Sequence, residues 1–416
     1  MQIDFLSARQ ILDTRGRPTI ETTISTLDTN SQGRALEATA SVPSGKSTGS
    51  HEALELRDAD GSVATAIANV NGEIARALAG RQFSSLDELD TFLIELDGTP
   101  NKSRLGANAI LSVSIAAQRL SALLAGIPLW KSIAERAHSA PAAPRLYLNF
   151  MNGGAHADFK LPFQEYILVV GGKMGDALPI AHEAFTKLGE TLRRLNLPNH
   201  EGGLTSATDL PMGDEGGYAP TFEALEEPFE ILSNLVAEFP GTSIAIDAAA
   251  SELYRDGFYT LLGKTYSADE LSRLYENLVM QFPLHSIEDP FAEDSASDFA
   301  HITSTVGDHV TIIGDDLTVT NPERIKDAIA HKEINSVLIK PNQIGSVKEA
   351  IEAVQMTHAA GLKTVASHRS GETDDTFIAD FAYGVGAFGI KAGGLGQRER
   401  LEKYERLVAI EEEATH

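Results

Sequence analysis

The sequence predicts an α/β protein, a small α+β unit at the N-terminus followed by a βα barrel. Three observations carry this. The first third reads as strands followed by helices. A Pro- and Ala-rich stretch, Ala137 to Pro144 (AHSAPAAP), then reads as a linker. Beyond it, short apolar runs alternate with helical stretches, and most run ends are spaced about 25–30 residues apart, the length of one βα unit. At 416 residues the chain has room for two domains, placed at 1–137 and 145–416.

In the first unit, residues 2–12, 19–28 and 33–42 are rich in Ile, Thr, Val and Leu, with turn signals between them. Residues 62–79, 84–97 and 105–124 space their apolar side chains as helices do. In the second unit the apolar runs are SIAID, LHSIED, VTIIGDD, SVLIK, KTVASHR and FGIK. Ser267-x-x-Glu270 and Ser346-x-x-Glu349 fit capping boxes, and Asn321-Pro322 fits an N-cap with proline behind it.

Charge narrows the function classes. There are 34 Lys+Arg against 59 Asp+Glu, a formal charge of −25. Nucleic acid and acidic membranes both need a basic face, so neither is an expected partner. Cysteine is absent, which removes disulfides, Cys-ligated metals and a Cys nucleophile. MQIDFLSARQ does not read as a secretory leader, and no apolar run approaches a membrane span. The expectation is a soluble, cytoplasmic protein.

The run ends hold the chemistry. They carry Asp247, Glu288 and Asp315, then Lys340, His368 and Lys391. In a parallel barrel such ends converge on one face, where active sites are built. Three carboxylates without His or Cys suit Mg²⁺, Mn²⁺ or Ca²⁺ rather than zinc. Lys340 and Lys391 are expected across the barrel mouth, with a pKa lowered towards base use. Arg369 and Ser370, in SHRSGET, can hold a phosphate or carboxylate. Glu215, in MGDEGGYAP, is a candidate acid/base. His156 and Glu165 lie in NGGAHADFKLPFQEY, where His156 is either a satisfied histidine or one beside a ligand. His138 and His200 read as solvated. ASVPSGKS, residues 40–47, nearly matches a phosphate-binding loop, but Pro43 removes a donor and only one glycine remains.

Over nearly its whole length the chain resembles the enolase family, the phosphopyruvate hydratases. ARQILDTRGRPTIE, VPSGKSTGSHEALELRD, NKSRLGANAILSVSIA, GDEGGYAP, SIEDPFAED, GDDLTVTNPERI, NQIGS and SHRSGETDDTFIAD carry the resemblance. It implies a β3α4 N-terminal domain and a barrel whose first units depart from plain βα order. It implies Mg²⁺-dependent interconversion of 2-phosphoglycerate and phosphoenolpyruvate by a homo-oligomer, a dimer or an octamer, with two Mg²⁺ per active site. Asp247, Glu288 and Asp315 would hold the first ion, and Ser47 would join the second. Lys340 would remove the C2 proton, and Glu215, helped by Glu165, would protonate the departing hydroxyl. Lys391 would neutralise the substrate carboxylate, and Arg369 and Ser370 would grip the phosphate. His156, His368 and Gln164 would complete the substrate site.

The chain departs from the family pattern at four places. Lys46 stands where alanine is common, and a Lys-Gly-Lys-Gly stretch is missing after Arg57-Asp58. Ala-Gly-Gly-Leu-Gly replaces Thr-Gly-Ala-Pro after Lys391, and Pro341 replaces valine after Lys340. The segment between Asp247 and Glu288 also looks short. Ordinary drift is one reading. The other is a paralogue for a more anionic phosphate analogue, as in phosphonate or phosphinate biosynthesis (carboxyphosphonoenolpyruvate synthase is an example). An acidic binding protein that has lost catalysis is disfavoured, because none of the candidate residues is missing.

Overall fold

The computed structural model describes residues 1–29, 33–46, 49–157, 161–195 and 210–415, the side chains of 155 and 156 excepted. Strands β1 (Ile3–Leu12), β2 (Pro18–Thr29) and β3 (Ala35–Ser41) form an antiparallel sheet in the order β1-β2-β3. Helices Leu86–Asp97, Ala107–Ala125 and Leu129–Ala137 follow. The stretch expected to be one helix over 62–79 is interrupted. Ala64–Asn69 and Ala75–Leu78 are α-helical, and Val70–Ile74 between them is a wider π-turn. The widening coincides with Asn71, whose side chain accepts from Ala8 N at 2.6 Å and donates to Ala8 O at 3.0 Å on the free edge of β1.

The barrel is closed and has eight strands. These are β4 (Arg145–Asn152), β5 (Glu165–Val170), β6 (Thr242–Asp247), β10 (Leu284–Glu288), β11 (Thr311–Gly314), β12 (Ser336–Ile339), β13 (Lys363–Ser367) and β14 (Gly389–Lys391). Between β6 and β10 lies a small sheet of β7 (Tyr254–Arg255), β8 (Phe258–Leu261) and β9 (Lys264–Tyr266). All neighbours in the barrel are parallel except β5, which runs antiparallel to both β4 and β6. The reversal puts the first residue of β5 at the rim where its neighbours end. Ser267 and Glu270 form the expected capping box, and Asn321 caps the helix that opens on Pro322.

Tyr147, Ile167, Val169, Ala245, Ile313, Leu338 and Val365 pack together as an apolar plug inside the barrel. Side chains alternate across a strand, so a residue two places further towards the rim also points inward. That rule takes Ala245 to Asp247, Ile313 to Asp315, Leu338 to Lys340 and, on the reversed strand, Ile167 to Glu165. The sequence thus places polar groups over an apolar floor. The N-terminal unit docks beside this rim. Ser44 and Gly371 exchange backbone hydrogen bonds of 2.8 Å, and Ala53 N donates to Gln343 O at 2.7 Å. Ala107–Ala125 is the one helix among the described residues long and apolar enough to cross a membrane, and 78% of that stretch is buried inside the protein.

Candidate active site

Lys391 is the centre of the rim. Its ammonium donates to Asp247 Oδ2 at 2.9 Å and to both Glu288 oxygens at 2.8 and 2.9 Å. Glu165 Oε1 lies 3.3 Å away. This corrects the expectation that the lysines face the carboxylates across the mouth. The barrel ring is small enough for a buried ammonium to settle among them. Burial opposes its charge, yet Asp247, Glu165 and Glu288 together raise Lys391 well above the ordinary lysine value. Burial, and then the charge of Asp247, hold the Glu288 carboxyl well above its usual range. Glu165 is raised by burial and then by Glu215.

Lys340 sits one strand from Asp315 and its ammonium is hydrogen-bonded to Asp315 Oδ2. Gln343 Nε2 donates to the other oxygen of Asp315 at 2.9 Å. Burial alone would lower the Lys340 ammonium, but the Asp315 charge outweighs it and the net shift is upward. The expected lowering is therefore absent, because the Asp315 charge sits directly against the Lys340 ammonium. Asp289 accepts from Asp315 N at 2.9 Å and from Asp316 N at 2.7 Å, so it shapes the turn that presents Asp315.

Glu215 comes from a glycine-rich loop packed against β4. A side chain on Gly213 or Gly217 would collide with Asn152, so this close approach requires glycine. Asn149 Nδ2 donates to Glu215 Oε2 at 3.2 Å, and His368 Nε2 lies 3.5 Å from the same oxygen. Gly394 N donates to Glu215 O at 2.7 Å, so the altered segment after Lys391 cradles this loop. Gln164 Nε2 donates to Asp247 Oδ2 at 3.3 Å.

Arg369 is paired through both arms with Glu52, at 2.9 and 3.0 Å, and also donates to Asn342 Oδ1 at 3.0 Å. An anion at this guanidinium has to share it with Glu52. Ser370 Oγ accepts from Arg15 at 3.5 Å. Lys46 Nζ donates to Asp214 Oδ2 at 2.6 Å, next to Glu215. Its cation therefore already has an anionic partner, which weakens the case for a reserved extra phosphate ligand. No helix follows the ASVPSGKS motif among residues 49–63, so the helix N-terminus that a phosphate cradle uses is missing there. Ser47, the side chain of His156, and His200 lie outside the described residues. His138 is exposed.

Gln164, Glu165, Glu215, Asp247, Lys340, His368, Arg369, Ser370 and Lys391 line one cavity, with about 290 Å³ of empty space. Its charge balance tests the metal reading. Two lysines and Arg369 face the five carboxylates Glu165, Glu215, Asp247, Glu288 and Asp315, and Arg369 is already paired with a sixth, Glu52. Glu165 Oε2 and Gln164 Oε1 are buried without a hydrogen-bond partner among the described residues. An all-oxygen set with surplus negative charge and orphaned acceptors fits a hard divalent cation. The residue-level reading missed Glu52, Asn149, Gln343 and Arg400. Only the fold reveals them, since Glu52 arrives from the N-terminal unit and Arg400 from the last helix, Arg398–Thr415.

The chain matches two family models, "Enolase, N-terminal domain" over residues 3–133 and "Enolase, C-terminal TIM barrel domain" over residues 141–416. A protein named Enolase from Acidothermus cellulolyticus is 44% identical over 424 residues, spanning 99% of this chain and 94% of that protein. One of the same name from Methanopyrus kandleri is 43% identical over 425 residues, spanning 98% and 95%.

Proposed function

The chain belongs to the enolase family, and from that premise we propose that it dehydrates 2-phosphoglycerate to phosphoenolpyruvate as a Mg²⁺-dependent hydro-lyase. One observation supports the assignment of roles. Lys340 at the end of β12, Glu165 at the start of β5 and Glu215 from the glycine-rich loop line a single cavity, which suits a lysine base beside a buried carboxyl pair.

Asp247, Glu288 and Asp315 would hold the first Mg²⁺, and Ser47 would join a second. Bound there, such ions would supply positive charge to the substrate carboxylate, whose C2 proton is otherwise barely acidic. Lys340 takes the C2 proton. It does so once Asp315 no longer stabilises the ammonium, which neutralising that carboxylate achieves. Lys391 releases part of its carboxylate shell to meet the substrate carboxylate. Glu215 gives a proton to the departing C3 hydroxyl. Glu165 supports it, since the two buried carboxyls come within 4.8 Å of each other and favour sharing a proton over both ionising. Arg369 and Ser370 hold the phosphate, with Gln164, His368 and His156 completing the site. A homo-oligomer, dimer or octamer, in the cytoplasm is the working form. No observation favours the phosphate-analogue paralogue.

The test is to add 2-phosphoglycerate and Mg²⁺ and follow the ultraviolet absorbance of the enol product. Turnover that stops on chelation is expected. No turnover by folded protein at any Mg²⁺ concentration overturns the reading.

A further inference from the structure

Arg400 is fully buried, at 0% exposure, yet no carboxylate pairs with it among the described residues. Its donors go to neutral acceptors instead. One arm reaches His368 Nδ1 and, at 2.9 Å, Arg369 O. The other reaches Ser370 O at 2.7 Å and Asp214 O at 3.3 Å, and Nε donates to Gln397 Oε1 at 3.0 Å. Gly393 makes room for it, since a Cβ there would lie 2.2 Å from Arg400 Cδ. Burying a guanidinium without a counter-charge is costly. The arrangement therefore points to what the donors do.

A guanidinium only donates. A ring nitrogen that accepts from it carries no proton, so the proton of neutral His368 sits on Nε2. That nitrogen is the one facing Glu215 Oε2, 3.5 Å away. Burial keeps the His368 ring neutral, pushing its pKa down to about 3. The same arginine grips the carbonyl of Asp214, just before Glu215, and those of Arg369 and Ser370, just after His368.

We propose that Arg400 is a positioning residue for the dehydration half of the reaction, fixing His368 as the Nε2–H tautomer so that it donates to the Glu215 carboxylate. The inference rests on the reading of Glu215 as the acid. As the C3–O bond breaks, the electron pair left at C2 forms the C2–C3 double bond. The Glu215 proton passes to the departing hydroxide, which leaves as water. The carboxylate left behind is then met by a ready N–H donor, which makes Glu215 a better acid. Among the described residues no hydrogen bond or ion pair joins Lys340 to Arg400, so removal of the C2 proton should not depend on it.

The experiment compares two rates in D₂O with Mg²⁺ and 2-phosphoglycerate, exchange of the C2 proton and formation of phosphoenolpyruvate. It uses wild type, Arg400→Lys, Arg400→Met and Glu215→Gln. For the Arg400 variants, product formation should fall about 10- to 100-fold, the range for groups that orient a functional partner. Exchange should stay within a few-fold of wild type. Glu215→Gln should show the same split, more strongly. Should Glu215→Gln leave product formation intact, the underlying assignment of Glu215 is wrong. Should Glu215→Gln split the rates while the Arg400 variants lower both in parallel or change neither, the Arg400 inference is wrong. Variants that do not fold leave a direct measurement on wild type, long-range proton–nitrogen NMR with His368 identified by its loss in His368→Asn. An Nε2-protonated ring supports the inference, and an Nδ1-protonated or doubly protonated ring overturns it.

Discussion

Replacing Lys46 by alanine removes the ion pair that ties the N-terminal unit to the loop carrying Glu215. The two side chains are 33% and 36% exposed. Pairs this open contribute about 0.2–1 kcal/mol. At about 1.4 kcal/mol per tenfold, that is no more than about a fivefold effect. Lys46→Ala should therefore lower kcat/KM for 2-phosphoglycerate by at most a few-fold. Asp214→Asn should do the same, and the double variant should add little, because both changes remove one interaction. The effect should shrink between about 0.1 and 1 M salt, as the screening length falls from about 10 to 3 Å. Steady-state kinetics at both salt concentrations, with 2-phosphoglycerate and with a carboxylated phosphonate, make the test. A loss of about a hundredfold, undiminished when Asp214 is already Asn, would refute the reasoning. It would mean that Lys46 touches the substrate, and a loss confined to the phosphonate would restore the paralogue reading.

Three further outcomes follow from the same geometry. Asp315→Asn removes one charge from the proposed metal carboxylates and should raise the Mg²⁺ needed for half-maximal activity about tenfold or more, read by Mg²⁺ titration. Gly394→Ala places a Cβ 2.4 Å from both Asn149 O and Gly216 O. Backbone cannot yield as a side chain tip does, so kcat and thermal stability should fall together, the latter by roughly 1–3 kcal/mol. His285, stacked on Phe388, is pushed down to about 4 by burial. Its neutral form is favoured in the folded state, so unfolding takes up a proton below about pH 6.5 and stability drops from there towards pH 4. In His285→Gln the fall in Tm over that window should be shallower, as calorimetry would show.

The strand ends were legible because a barrel converts sequence position into place. Asp247, Glu288, Asp315, Lys340 and Lys391 each close an apolar run, and Ala245, Ile313 and Leu338 of three of those runs belong to the floor. Glu165 carried no such signal, since its strand runs backwards and begins, rather than ends, at the rim. Pairings were less legible than positions. Nothing local predicts that Arg369 meets Glu52, which lies 317 residues away in sequence. The lysine pKa expectation failed for a related reason. It placed the lysines opposite the carboxylates, whereas in the folded chain the two ammonium groups pair directly with Asp315 and Glu288. Nothing in the sequence distinguishes Arg400 from the other charges around it, and its complete burial is what sets it apart.

The central claim is that Lys340 removes the C2 proton under the control of the acidic rim. The most direct measurement is proton NMR of 2-phosphoglycerate in D₂O, comparing wild type with Lys340→Ala, with and without Mg²⁺. Wild type with Mg²⁺ should lose the C2 signal and form phosphoenolpyruvate. Chelation should stop both, and Lys340→Ala should slow exchange on the order of 10²–10⁴-fold or more. Exchange at the wild-type rate in folded Lys340→Ala would contradict the account and move the base elsewhere on the rim, with Lys391 the first candidate.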